Sequence, residues 1–216
     1  MVTNQTFLQK VKSMPVFIAQ LFIVQFFTWF GLFAMWIYAT PTITKYVFKT
    51  TDATTGDFEL GTSWVGYCFA FYSLLGAVLG FYLPKFTKQF GKSKVHAVTL
   101  FTGGVGLLLI YFIQNRWLLF LPFVLIAIAW SSISTIPYHL VGEKSPDDKM
   151  DFYFSLFSFS VVIPQVTAAT VLGFITKNFF NSETIFTVMF GGFSMLIASG
   201  IMFFLKDVIT VETTEE

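Results

Sequence analysis

The sequence predicts an all-α integral membrane protein, a bundle of six transmembrane helices, and three observations predict it. Hydrophobic residues make up 55% of the 216 and charged residues only 12%. The mean hydropathy is +0.72. Apolar windows recur six times along the chain, separated by short polar segments. A helix that crosses roughly 30 Å of hydrocarbon needs about 20 apolar residues, and a water-soluble domain does not carry such windows one after another.

In order, the spans run from about Met14 to Thr40, Trp64 to Leu83, His96 to Ile113, Trp117 to Tyr138, Phe152 to Thr176 and Ile185 to Leu205. None contains Asp, Glu, Lys or Arg, so none places a charge in lipid. The first is too long for the apolar core of a signal peptide and lacks a small-residue cleavage site, so it reads as a span. Between the first two spans lies the longest loop, Pro41 to Ser63, rich in Thr and Gly, which reads as a solvated excursion.

Orientation follows from the lysines and arginine near the span ends. Lys10, Lys12, Lys85, Lys88, Lys92, Lys94, Lys144, Lys149 and Lys206 fall on one side, and Lys45, Lys49, Arg116 and Lys177 on the other, nine against four. The expectation is a multi-pass protein of the cell membrane, the inner membrane in a bacterium, with both termini and the loops after spans 2 and 4 in the cytoplasm. The chain then divides into a cytoplasmic N-terminal segment (1–13), the bundle (14–205) and a cytoplasmic tail (206–216) expected to be disordered.

Several function classes drop out. A formal net charge of +1 provides no field for nucleic acid. The single cysteine, Cys68, lies in an apolar stretch and makes neither an intrachain disulfide nor a cysteine metal site. The two histidines, His96 and His139, stand at helix ends and read as interfacial or capping residues, and no hydrolase, nucleotide or dinucleotide pattern occurs. The sequence therefore predicts no enzyme, no cofactor and no metal.

What remains is uncharged polarity inside particular spans. Span 1 carries Gln25, Thr28, Trp29 and Trp36, of which Gln25, Thr28 and Trp36 share a face at helical spacing. Span 4 ends in a run from Trp130 through Ser131 and Ser134 to Pro137 and Tyr138. Span 5 sets Ser155, Ser158 and Gln165 on one stripe beside Pro164. Polar groups facing lipid are costly, so these faces should meet a neighbouring helix or a wet cavity. Aromatic rings with amides and hydroxyls suit a neutral sugar, whose C–H face stacks on Trp or Tyr while its hydroxyls take hydrogen bonds. Each of these residues also has a purely structural reading, as a helix contact or an interfacial ring. The glycines Gly76, Gly80, Gly103, Gly104, Gly106, Gly191 and Gly192 read as close-packing contacts. Spans 1 and 4, both polar towards their C-terminal ends and both closing on a proline, Pro41 and Pro137, suggest two inverted three-helix repeats.

These residues resemble the major facilitator superfamily, and within it the sugar:cation symporters of the sucrose and maltose (glycoside) transporter type. The likeness is to the C-terminal six helices and covers nearly the whole chain. It is carried by Gln25-Phe26-Phe27-Thr28-Trp29-Phe30, by Ile136-Pro137-Tyr138, by Val162-Ile163-Pro164-Gln165 and by the closing Lys206-Asp207-Val208. Gly80, Pro84 and Lys85, followed by Gly91-Lys92-Ser93-Lys94, are similar to the superfamily's basic cytoplasmic loop, with Pro84 where an acid often stands and Lys85 in place of arginine. The resemblance implies half of a secondary transporter working by alternating access on a small sugar, coupled to a cation, with the proton foremost. It also implies a second six-helix half, supplied by another chain or by self-association, a cytoplasmic gating loop at Gly80, Lys85, Gly91 and Lys92, and the lipid bilayer as the remaining partner. The alternative is a non-transporting six-helix scaffold or a degenerate transporter fragment.

Overall fold

A computed structural model describes residues 7–205. The tail from Lys206, expected to be disordered, and the first six residues of the N-terminal segment lie outside the described residues. After a short helix α1 (Phe7–Lys12), the spans are α2 (Val16–Tyr46), α3 (Gly56–Phe90), α4 (Lys92–Leu109), a broken fourth span made of α5 (Phe120–Ile133) and α6 (Ile136–Lys144), α7 (Met150–Asn178) and α8 (Thr184–Phe204). All six spans are long and apolar enough to cross a membrane, and no strand occurs among the described residues.

The helices outrun the apolar windows. α2 continues through Pro41 to Tyr46, and α3 begins at Gly56, so the loop expected over Pro41 to Ser63 shrinks to residues 47–55. The reason is local. The side chain of Thr55 caps α3 by accepting from Phe58 N–H, and Asp57 and Glu59 stand in the first turn, where acidic groups suit the helix dipole. Hydropathy locates the hydrocarbon, whereas capping locates the helix end, and the two differ wherever a helix projects into water. Pro41 thus lies inside a helix rather than closing one. Pro137 does mark a break: it stands at the start of α6, where its missing N–H costs no helical bond.

The packing carries the repeat. α2 lies along α8 and α7; α5 lies along α4 and α3; α4 lies along α8. Exchanging span 1 with 4, 2 with 5 and 3 with 6 maps this set of pairs onto itself, as two inverted three-helix repeats require. Close approach at the crossings depends on glycine. A Cβ added at Gly31 would stand 2.6 Å from Gly191 O, and one at Gly192 would stand 3.0 Å from Gly104 O. Hydroxyls stitch the same crossings, Ser194 donating to Phe27 O at 2.7 Å and Ser199 to Ala97 O at 2.7 Å. Phe30 and Ala34 of α2 pack on Ala168 and Leu172 of α7.

Ion pairs obey the same exchange. Lys45, at the end of α2, pairs with Glu183, which precedes α8, at 2.7 Å. Glu143, at the end of the fourth span, pairs with Lys92 at the start of α4. The pairs sit at equivalent corners on opposite faces of the bundle, with their charges exchanged.

Candidate functional site

Spans 1, 2 and 4 meet in a cluster of aromatic rings. Trp29 and Trp36 lie two turns apart on α2, with ring centroids 6.2 Å apart, and Trp130 of α5 closes the group at 6.3 Å from Trp29 and 5.9 Å from Trp36. Phe33 stands 5.1 Å from Trp36, edge to face. Tyr72 of α3 stands 6.0 Å from Trp130 and accepts a hydrogen bond from Trp36 Nε1 at 2.9 Å. Trp130 reaches this position because Gly76 has no side chain: a Cβ there would lie 2.8 Å from Trp130 Cδ1.

The hydrogen-bond accounting on α2 separates satisfied groups from unsatisfied ones. Thr28 is buried and donates to Val24 O at 2.8 Å. Gln25 is 1% exposed and its Oε1 has no partner; Trp29 Nε1 is buried and also has none. These two groups, an acceptor and a donor, are four residues apart and so lie on one helical face. A buried polar group without a partner costs about 1–3 kcal/mol, so two on one face beside an aromatic wall require an explanation.

Three hydroxyls of the fourth span, those of Ser131, Ser134 and Thr135, do have partners, and these are backbone. Ser131 donates to Ile128 O at 2.7 Å, Ser134 to Trp130 O at 2.9 Å and Thr135 to Ser131 O at 2.9 Å, all in the last turn before the break. Ser131 is buried and lines an apolar groove, while Ser134 is exposed. Tyr138 is half-exposed, with its ring 5.0 Å from Phe157 of α7. On α7, Ser158 and Gln165 are both exposed on the outer face, away from the rings of α2, and Ser158 bonds Phe154 O at 3.4 Å. The sequence-derived set therefore divides. Trp29, Trp36 and Trp130 come together beside Gln25 and Thr28, whereas Ser131, Ser134, Tyr138, Ser158 and Gln165 lie elsewhere.

On the lysine-rich face, Gly80, Pro84, Lys92, Thr135 and His139 line a small pocket of about 210 Å³. Lys85 is exposed, Gly80 is not the close-packing contact expected, since nothing lies within 4 Å of a Cβ there, and Gly91, with φ of 85°, takes the left-handed turn between α3 and α4 that favours glycine. His139 is exposed there, in keeping with a residue near a helix end. His96 is a correction: α4 starts at Lys92, so His96 lies a full turn inside and is wholly buried. Thr99 Oγ1 donates to His96 O at 2.9 Å and Ser132 Oγ to Ala129 O at 3.3 Å, and Ser132 Oγ lies within hydrogen-bond distance of Thr99 Oγ1 (2.5 Å) and His96 Nδ1 (2.8 Å), whereas His96 Nε2 is buried without a hydrogen-bond partner. The ring is a packing element tying α4 to α5.

Sequence reasoning missed Tyr72 and Phe33. Cys68, Tyr72 and Gly76 recur every fourth residue and are all buried, and that stripe was the available signal. Among the described residues no three His, Cys, Asp or Glu side chains gather to hold a metal. Chemically, the cluster can stack an apolar ring face and exchange hydrogen bonds with a ligand that both donates and accepts. A family model described as "Sugar (and other) transporter" matches residues 16–208. No curated protein matches the chain.

Proposed function

The chain belongs to the family of sugar and other transporters, and from that premise we propose that it forms half of a secondary active transporter for a small sugar or glycoside of the sucrose or maltose type. Members of the family are transporters, not enzymes. Alternating access would come from rocking of this bundle against a second six-helix bundle. The observation that carries the sugar reading is the pair Gln25 Oε1 and Trp29 Nε1, unpartnered where the Trp29 indole meets those of Trp36 and Trp130. A sugar hydroxyl donates and accepts at once and so satisfies both, while its C–H face stacks on a ring.

Two features support a second bundle. α3 and α7 are the least buried spans, and α7 turns Gln165 outward at membrane depth, where a facing helix or a wet cavity costs less than lipid. No apolar window of this chain carries an acidic residue, which supports a coupling carboxylate supplied by the second bundle. The lysine asymmetry orients the bundle with both termini and the pocket of Gly80 and Lys92 towards the cytoplasm.

The test is uptake of labelled sucrose and maltose into proteoliposomes under a proton gradient. Uptake is expected with the second bundle present and absent with this chain as a demonstrated monomer. Gradient-driven uptake by the monomer, or none with either sugar in the assembled protein, contradicts the proposal.

A further inference from the structure

α3 and α4 are consecutive yet share little surface, and between them, floored by α5, opens an apolar groove of about 520 Å³. Along α3 its wall is Leu79, Leu83, Phe86 and Phe90, a stripe at helical spacing; Val98 and Phe203 face it from α4 and α8. From Phe90 to Leu79 the helix rises by about 16 Å. The stretch from Phe90 to Lys85 lies beyond the apolar window, which ends at Leu83, so the groove begins at the lysine-rich rim and reaches from there into the near leaflet only, well short of crossing a hydrocarbon core of roughly 30 Å.

Lys94 is the one charged residue on the lining. It takes no part in either ion pair, which use Lys45 and Lys92, and Lys85 and Lys88 are exposed on the same rim. A cation at the rim of an apolar slot, with no acid in the lining, complements a ligand that is anionic at one end and hydrocarbon along the rest. A transmembrane helix of a partner would run through both leaflets, whereas this wall ends within the near one. Lysines at the membrane surface draw anionic lipid. We infer that the groove between α3 and α4 is a binding site for one acyl chain of an anionic phospholipid, whose phosphate pairs with Lys94. The inference depends on membrane embedding and not on the sugar.

Native mass spectrometry of the delipidated full chain in neutral detergent, titrated with dioleoyl phosphatidylglycerol or dioleoyl phosphatidylcholine, tests it. One phosphatidylglycerol should bind more tightly than phosphatidylcholine. Lys94→Gln should weaken phosphatidylglycerol by about fivefold and leave phosphatidylcholine unchanged. Lys88→Gln, off the groove, should keep most of the affinity, and Val98→Trp, which fills the slot, should lower binding of both lipids. Free glycerol 3-phosphate should not compete, because the chain as well as the phosphate is recognised. If Val98→Trp does not yield a monodisperse protein, Lys94→Arg decides, since it should retain the affinity that Lys94→Gln loses. Equal binding of the two lipids, equal effects of Lys94→Gln and Lys88→Gln, or competition by glycerol 3-phosphate overturns the inference.

Discussion

Trp36 Nε1 donates to the phenol oxygen of Tyr72 at 2.9 Å, a side-chain bond that joins span 1 to span 2 within the aromatic cluster. Tyr72→Phe leaves the indole N–H unmatched in a largely dehydrated place, at a cost of about 1–3 kcal/mol. The double variant Trp36→Phe with Tyr72→Phe removes both partners and should recover part of that loss. Melting temperatures in detergent across the double-mutant cycle check this, and full additivity would contradict it.

Gly76 and Gly80 are one turn apart but differ in surroundings. A Cβ at Gly76 meets Trp130 at 2.8 Å and Ala127 O at 3.2 Å, whereas nothing lies within 4 Å of one at Gly80. Gly76→Ala should therefore destabilise by roughly 1–3 kcal/mol through overpacking, and Gly80→Ala should be close to neutral. Equal melting temperatures for the two variants would refute the assigned contact.

The two ion pairs at equivalent corners, Lys45 with Glu183 and Lys92 with Glu143, are partly exposed. Glu183→Gln and Glu143→Gln should each cost no more than about 1 kcal/mol and less at high salt. Exchanging the charges, as Lys45→Glu with Glu183→Lys, should restore the ion pair, because the opposite corner carries that polarity, but not the hydrogen bond that Tyr46 Oη donates to Glu183, so stability should recover in part. Failure of the exchange while both single variants stay folded would count against equivalence of the corners.

An introduced cysteine at Lys88 should resist impermeant reagents added outside intact cells and react once the membrane is opened, as the lysine asymmetry requires. Labelling at Lys88→Cys from outside would reverse the orientation.

The six spans were legible because hydropathy reports the hydrocarbon directly, and their ends were not, because α3 is capped at Thr55, beyond the apolar window. Within the site, Trp29 and Trp36 were legible as residues two turns apart on one helix. Trp130 joins them only through the packing of α5 on α3, which no periodicity encodes. Tyr72 escaped notice because tyrosine is ordinary at membrane interfaces, and its depth becomes evident only from burial. The partners of Ser131, Ser134 and Ser158 are not legible in the sequence: in an apolar helix a hydroxyl finds its own backbone carbonyl three or four residues back, and these do so. His96 was misplaced because its window began at the first apolar residue, whereas the helix begins a turn earlier at Lys92.

The proposed sugar is the missing partner of Gln25 Oε1 and Trp29 Nε1, which have none within the chain. Paired measurement of melting temperature without sugar and of sucrose or maltose affinity, on the assembled transporter carrying Gln25→Ala or Trp29→Phe, tests this pairing most directly. Removing an unsatisfied buried group should leave the melting temperature unchanged or raised, while affinity falls about five- to hundredfold as the sugar hydroxyl loses its partner. Loss of stability with unchanged affinity in the folded fraction of both variants would contradict the account and leave these two side chains as packing.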